Sequence, residues 1–172
     1  FLLKKQNKFL IGYAGAMGSP NALEYLLEAM KHLLTSNPLI HCIMVGDGNK
    51  KQQLIETVFK HNLTNVTVLD KISKSEIPSF LNQMDALYLG WKNTKLYQYG
   101  VSPNKLFDYL NSGKPIIESG GANNSVISEY GCGLHCQAES VHQIVQAILS
   151  IHNMTKSQIS QIEKNASGLV KK

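Results

Sequence analysis

The feature that most constrains the fold of this chain is a regular alternation of short apolar runs with longer amphipathic stretches. Apolar residues recur at helical spacing over positions 21–34, 50–61 and 140–151. The apolar runs have the length of buried strands and occur at positions 9–14, 39–45, 65–69, 86–89, 115–118 and 131–136. Six strands that alternate with helices predict an α/β fold with a doubly wound, parallel six-stranded sheet of the Rossmann-like type.

Length and composition indicate one globular domain. The chain has 172 residues, of which 43% are hydrophobic and 17% charged, so it can bury a core and is not expected to be disordered. No apolar run approaches the length of a membrane span. The net charge of +5 suits a phosphate-rich ligand or an anionic membrane surface. It would suit nucleic acid too, but the lysines are scattered and form no stripe with interleaved aromatic residues, so no nucleic-acid partner is predicted.

The cysteines and histidines do not predict a metal site. Cys42, Cys132 and Cys136 have no metal-type spacing with the histidines, and Cys42 lies in an apolar run typical of a buried strand. His135 and His142 have no second cluster of ligands beside them in the sequence. We therefore assign both histidines structural or surface roles.

Residues 100–117, GVSPNKLFDYLNSGKPII, predict a loop, a helix, a tight turn and a strand. Ser102 is the expected N-cap and Pro103 the first helical residue, where its missing N–H costs nothing. Gly113 is the expected C′ glycine that ends the helix. One apolar stripe is predicted along the helix, formed by Leu106, Phe107 and Leu110.

The start of this helix is a candidate ligand site. Its free backbone N–H groups favour an anion, and Lys105 lies beside them. One turn further along, Asp108 provides a carboxylate that can accept two hydroxyl protons. A diphosphate at the helix start and a ribose diol at Asp108 would together describe a nucleotide sugar.

Two glycine-containing loops follow predicted strands at the edge where open α/β sheets bind ligands. Residues 15–20 (GAMGSP) begin with Gly15, and the second loop contains Gly46 and Gly48. Such loops let a phosphate approach the backbone closely. The spacing does not match the GxGxxG pattern of dinucleotide-binding folds. A plain tight turn explains each loop about equally well.

The run SPNKLFDY at 102–109, followed by GKP at 113–115, resembles the donor-binding segment of the group 1 (family 4) glycosyltransferases, which have the GT-B fold. It looks most like the branch that builds bacterial surface polysaccharides, and the resemblance extends from the first strand to the last helix. It implies one half of a GT-B fold, the C-terminal donor-binding domain of a retaining, hexosyltransferase-type enzyme. Residues 9–154 would form this domain, 1–8 a linker from a missing N-terminal domain, and 155–172 a C-terminal helix.

The resemblance also implies roles for individual residues. Lys105 would act catalytically by stabilising the leaving diphosphate, Ile72 would pack on the nucleobase, and Asp108 would bind the ribose. The family uses a nucleoside-diphosphate sugar as substrate with no cofactor and no bound metal, UDP being the first candidate nucleotide and GDP the second. The complete set of implied donor-binding residues is Gly15, Gly46, Gly48, Lys51, Ile72, Ser102, Pro103, Asn104, Lys105, Leu106 and Asp108.

The sequence departs from the family pattern at two places. Many members carry two acidic residues eight positions apart; Asp108 matches the second, but Gly100 stands in place of the first, which normally contacts the transferred sugar. Many members also carry a basic residue near the first glycine loop. This loop has none, so the charge must come from Lys105 or elsewhere. The loop over positions 90–101, with Trp91, is a candidate substrate surface, or its aromatic residues close the edge of the core.

The acceptor, a saccharide or a lipid-linked sugar, would be bound by the missing N-terminal domain. We expect a cytoplasmic protein, with the full-length enzyme contacting the inner face of the membrane peripherally. Alone, these residues should bind a nucleotide weakly and catalyse nothing. Two alternatives stay open: a nucleotide-sugar epimerase of the same fold, and a non-catalytic nucleotide-binding or scaffolding domain, which the lost first acid keeps possible.

Overall fold

A computed structural model describes residues 7–94, 104–121 and 125–170 of the chain. The six strands are β1 Phe9–Ala14, β2 Ile40–Val45, β3 Val66–Leu69, β4 Ala86–Gly90, β5 Ile116–Gly120 and β6 Gly133–Gln137. The helices are α1 Leu23–Ser36, α2 Lys51–Lys60, α3 Ile77–Asn82, α4 Asn104–Ser112, α5 Val126–Glu129, α6 Val141–His152 and α7 Lys156–Val170. Short 3₁₀ turns at Ser19–Asn21 and Lys74–Glu76 precede α1 and α3.

The strands form one sheet in the order β3-β2-β1-β4-β5-β6, and every neighbouring pair is parallel. This confirms the predicted doubly wound α/β sheet. The chain builds outward from β1 to β3, then returns to place β4 on the other side of β1. Because the strand order reverses there, the carboxyl ends of β1 and β4 flank the crevice in which such sheets bind ligands.

The predicted strand boundaries are accurate to within two residues. β5 continues to Gly120, where it pairs with Gln137. β6 begins at Gly133 and not at residue 131, because the N–H of Cys132 bonds to the carbonyl of Ile127 in α5 and so remains in the turn. All three cysteines are buried and free, as predicted for Cys42.

Neighbouring residues cap several of the helices. Ser73 and Glu76 form a capping box before α3. Ser140 caps α6 by accepting a hydrogen bond from the N–H of Gln143. Gly113 ends α4 with φ +68°, the left-handed conformation that a C′ glycine provides.

Helices cover both faces of the sheet. One core, on the side of α1 and α6, includes Leu26, Met30 and Ile148. The other lies under α3, α4 and α7 and includes Leu87 and Ala166. Helix α7 therefore packs on this domain beside α4. Among the described helices, none is both long enough and apolar enough to cross a bilayer.

The predicted apolar stripe of α4 is wrong at one position. Phe107 is 57% exposed, whereas Tyr109 is fully buried and lies beside the buried Leu110 and the half-buried Leu106. Positions 106, 109 and 110 have i, i+3, i+4 spacing, so they share one helix face. The tyrosine can be buried because its hydroxyl accepts a hydrogen bond from the N–H of Ala14, at 2.9 Å.

His41 makes the stability of the fold dependent on pH. It is buried in β2, and its Nε2 lies 2.8 Å from Thr67 Oγ1. Burial, with a smaller effect of the Lys8 charge, lowers the pKa of His41 to about 4. The unfolded chain binds this proton below about pH 6.5, before the folded protein does. We therefore expect full stability above pH 6.5 and a loss of about 2 kcal/mol as the pH falls towards 4.

Urea unfolding at pH 7, 5.5 and 4.5 measures this effect. The variant His41→Gln should lose clearly less stability between pH 7 and 4.5 than the wild-type chain does. His142→Gln is the matched control, because His142 is exposed and should leave the pH dependence unchanged. Parallel pH profiles for all three proteins would contradict the assignment.

Candidate functional site

A cleft of about 250 Å³ lies at the carboxyl ends of β1 and β2. It contains three of the predicted donor-binding residues, Gly15, Gly46 and Ile72. The remaining lining residues are Ala16, Val45, Asp47, Lys71 and Ile77. The strand order thus brings together a glycine loop after β1, a second after β2 and an apolar side chain after β3, as expected for this edge of an open sheet.

The two glycine loops pack against each other backbone to backbone. The N–H of Met17 donates to the carbonyl of Asp47 at 2.7 Å, and the N–H of Lys50 donates to the carbonyl of Met17 at 2.9 Å. A Cβ at Gly46 would lie 1.9 Å from the carbonyl oxygen of Gly15, and one at Gly48 would lie 2.6 Å from that of Met17. Contact between the loops therefore requires glycine at positions 46 and 48, whatever ligand binds beside them.

Lys105 extends from the first turn of α4 to the loop that follows β1. Its Nζ donates hydrogen bonds to Tyr13 Oη at 3.0 Å and to Asn21 Oδ1 at 2.5 Å. The same Nζ lies 3.3 Å from the position that a Cβ of Gly15 would occupy. A cation therefore lies against the first glycine loop, although that loop itself contains no basic residue.

The surroundings of this ammonium are neutral and partly apolar. Nζ lies 4.8 Å from the ring centroid of Tyr13 and 5.9 Å from that of Trp91. Burial lowers the pKa of Lys105 to about 8. The side chain is still mostly protonated at pH 7, and a bound anion would stabilise that protonated form.

Sequence reasoning missed Tyr13 and Asn21. Tyr13 lies in an apolar strand and is typical of a core residue, and Asn21 is the first residue of the helix predicted over positions 21–34. Neither position carries a pattern that indicates contact with residue 105. Lys71, which lines the cleft beside Ile72, was also missed; its position directly after β3 was the available signal.

Helix α4 is tied to β1 by Tyr109, whose hydroxyl bonds to Ala14 at the end of that strand. This contact sets the first turn of α4, with the backbone of Asn104 and Lys105, beside the first loop. Leu106 is half-buried and packs on the adjoining core. The predicted cap residues Ser102 and Pro103 lie outside the described residues, as do Gly100 and the rest of the loop from residue 95.

Asp108 is exposed and lines a second cleft, of about 280 Å³, between α3 and α4. Asn111 and Ser112 of α4 line it with Asp108, and Pro78, Leu81 and Asn82 form the α3 side. The neighbouring residue Ile77 lines the first cleft, so the two clefts adjoin across the start of α3. Asp108, the residue predicted to bind the ribose, and the glycine loops thus line adjacent clefts.

Lys51 and Trp91 do not line the first cleft. Lys51 hydrogen-bonds to the carboxylate of Asp70, which holds the pKa of that carboxyl below its usual range. Trp91 is buried, and its backbone N–H donates to the carbonyl of Ser119 at 2.8 Å. It packs between Lys105 and Gly120, so Trp91 closes the edge of the core.

The histidines occupy the positions expected of structural and surface residues. His135 Nδ1 lies 3.2 Å from Glu118 Oε2, and His142 is exposed on α6. Within the described ranges, no three His, Cys, Asp or Glu side chains are placed to share a metal ion.

The sequence profile of the family described as "Glycosyl transferases group 1" matches residues 1–167. The chain belongs to this family. The match spans both clefts and all six strands, so the glycine loops and α4 are parts of a glycosyltransferase domain. A search of the curated proteins finds no match to the chain.

Solved glycosyltransferase structures share the fold. HepE of Anabaena, in complex with UDP and glucose, superposes with a TM-score of 0.78 at 15% identity, over 98% of this chain and 45% of HepE. WaaG, a glycosyltransferase involved in lipopolysaccharide biosynthesis, superposes with a TM-score of 0.76 at 14% identity, over 99% of this chain and 46% of WaaG. The C-terminal domain of LpcC, a group 1 family protein from Francisella tularensis, superposes with a TM-score of 0.74 at 16% identity. The superposition covers 98% of this chain and 89% of the LpcC domain. This chain thus spans less than half of HepE and of WaaG.

Proposed function

We propose that this chain is the C-terminal, donor-binding domain of a retaining glycosyltransferase that transfers a hexose from a UDP-sugar. The observation that carries the proposal is the Lys105 ammonium, placed against the first glycine loop at the start of α4. A cation, a helix start and two glycine loops together suit a diphosphate. UDP is the favoured nucleotide because HepE has been crystallised with UDP and with UDP-glucose.

Stabilisation of the leaving group is the chemistry assigned to this domain. When the bond between the sugar and the diphosphate breaks, negative charge grows on the phosphate oxygens. The Lys105 ammonium and the backbone N–H groups from Asn104 to Leu106 would hold that charge without reorganisation. The ribose would bind Asp108, and the base would lie near Ile72 on the far side of the first cleft.

The proposed acceptor and its cellular setting are those expected for a member of this family. The involvement of WaaG in lipopolysaccharide biosynthesis supports a role in bacterial surface polysaccharide synthesis. A saccharide or lipid-linked acceptor would be bound by an N-terminal domain, joined through residues 1–8. The enzyme would act in the cytoplasm, at the inner face of the membrane. Residues 9–154 with the helix at 155–172 would then bind the nucleotide weakly and catalyse nothing alone.

Calorimetric titration with UDP, GDP, ADP and CMP tests this function. We expect UDP to bind in preference to the other three. Asp108→Asn should weaken UDP binding about tenfold. The neutral amide has one acceptor oxygen in place of two, so it cannot accept charge-assisted hydrogen bonds from both ribose hydroxyls. Asn111→Ala is the matched control, since Asn111 is exposed and lines the same cleft.

Three results would contradict the proposal. If UDP binds equally well to Asp108→Asn and to Asn111→Ala, the ribose does not bind at Asp108. If no nucleotide binds either to this chain or to the longest natural polypeptide that contains it, the domain is not a donor site. With that longer polypeptide, release of free sugar without transfer would indicate the epimerase alternative.

A further inference from the structure

We propose that Tyr13 and Asn21 are positioning residues that hold the Lys105 ammonium against the first glycine loop. A lysine from α4 would thereby supply the positive charge that the loop between β1 and α1 lacks. The inference rests on the proposed function, because the anion to be bound is the diphosphate of the donor. Tyr13 and Asn21 would act through Lys105 and need not touch the ligand.

Tyr13 and Asn21, called the cradle below, lie far from Lys105 in the sequence. Lys105 lies 92 positions from Tyr13 and 84 from Asn21, yet its Nζ bonds to both side chains. Space for the ammonium exists because residue 15 is glycine. A Cβ there would lie 3.2 Å from Lys105 Cε, 3.3 Å from its Nζ and 3.4 Å from Tyr13 Oη.

Hydrogen bonds to one carbonyl fix the orientation of both cradle residues. Tyr13 Oη donates to the carbonyl of Ala16 at 2.5 Å, and Asn21 Nδ2 donates to the same carbonyl at 2.9 Å. With its proton directed to Ala16, the tyrosine hydroxyl presents lone pairs to the lysine. With its Nδ2 on the carbonyl, Asn21 must turn Oδ1 towards the lysine. The loop carbonyl thus sets both acceptors in the direction of Lys105.

The cradle leaves the ammonium able to bind a ligand. An ammonium carries three N–H donors, and Tyr13 and Asn21 accept two. Among the described residues no other group accepts a hydrogen bond from Nζ, so the third N–H can bind a phosphate oxygen. Tyr13 and Asn21 are buried, so the two acceptors are shielded from solvent, whereas the Lys105 side chain as a whole is half-buried.

This arrangement couples ligand binding to protonation. The groups facing the ammonium are Tyr13 from β1, Asn21 from the 3₁₀ turn before α1, and the Trp91 ring after β4. Of these groups from the described part of the chain, only Tyr13 titrates, and burial raises its pKa, so it stays neutral over the useful range. Burial lowers the pKa of Lys105 to about 8. When a diphosphate binds at pH 9, Lys105 should therefore take up about one proton.

The first test is proton uptake, measured by titrating UDP at pH 9 in two buffers of different ionisation enthalpy. The longest natural polypeptide that contains these residues is used. We expect about one proton per UDP for the wild-type protein, and none for Lys105→Met. A lysine that only anchors α4 to the loop would give no uptake in either protein, and that result would overturn the inference.

The second test removes each acceptor in turn and then transfers the positive charge from residue 105 to residue 21. Asn21→Ala and Tyr13→Phe should each weaken UDP binding about 3- to 10-fold at pH 7, because each removes one acceptor that holds the ammonium. Lys105→Met should bind UDP more weakly than either of these variants. In the double variant Lys105→Met, Asn21→Lys, the cation comes from the loop itself, and we expect most of the affinity lost in Lys105→Met to return.

Gly18→Ala controls for disturbance of the loop. A Cβ there would be 3.5 Å from Pro20 in the same loop and 3.6 Å from Asn49 in the second glycine loop, and both are ordinary contacts. Gly18→Ala should bind UDP as the wild type does. If the wild-type protein binds no UDP, the proposed function fails and this inference fails with it. If the wild type binds but Asn21→Ala and Tyr13→Phe are unaffected, or Asn21→Lys restores nothing, the donor site stands and the cradle is wrong.

Discussion

Replacement of Gly46 by alanine is expected to destabilise the chain by about 3 kcal/mol and to abolish UDP binding. The new Cβ would lie 1.9 Å from the carbonyl oxygen of Gly15. Backbone forms this contact, so no side-chain rotation can relieve it, and one of the two loops must move by more than an ångström. Displacement of the first loop would move Gly15 and Ala16, and with them the residues that hold Lys105.

Urea unfolding and UDP titration measure the two effects separately. Gly18→Ala is again the matched control, and it should differ from the wild type by less than about 0.5 kcal/mol. Wild-type stability in Gly46→Ala would show that the loops do not pack as closely as described. Reduced stability with intact UDP binding would place the nucleotide away from these loops.

Lys105→Met is expected to impair function without impairing the fold. Loss of a charge-assisted hydrogen bond to the diphosphate should weaken UDP binding about 10- to 100-fold. The free energy of unfolding at pH 7 should change by less than about 1 kcal/mol. Methionine is apolar and of similar length, so it can pack against the rings of Tyr13 and Trp91. It also removes the desolvation cost of a half-buried charge.

The same variant should remove a pH dependence of stability. Because burial lowers the pKa of Lys105 in the folded chain to about 8, the unfolded chain binds more protons between pH 8 and about 10.5. Stability contributed by this group is therefore greatest above pH 10.5 and is lost as the pH falls towards 8. Wild-type stability should rise relative to that of Lys105→Met across this range.

Lys164→Met provides the control for loss of a lysine. Lys164 is exposed on α7, far in sequence from the cleft, and its replacement should leave both UDP affinity and the pH profile of stability unchanged. Equal UDP affinity in Lys105→Met and Lys164→Met would remove Lys105 from the donor site.

The sequence was sufficient to predict the sheet and most of its connections. Strands of a parallel sheet are covered on both faces, so they appear as short continuous apolar runs that stand out between amphipathic helices. Helix ends are governed by neighbouring residues, which is why the glycine at 113 was correctly predicted to end α4. The two glycine loops were also predicted to lie at the ligand-binding edge of the sheet.

Tertiary structure alone decided which side chains meet at that edge. Tyr109 is buried and Phe107 is exposed because a hydroxyl on α4 finds the backbone of Ala14 at the end of β1, 95 positions away. Lys105 reaches Asn21 because the strand order sets β4 against β1 and so brings the first turn of α4 over the first loop. Local sequence determines backbone conformation and capping, but contacts between distant loops depend on strand order, which only the packed sheet establishes.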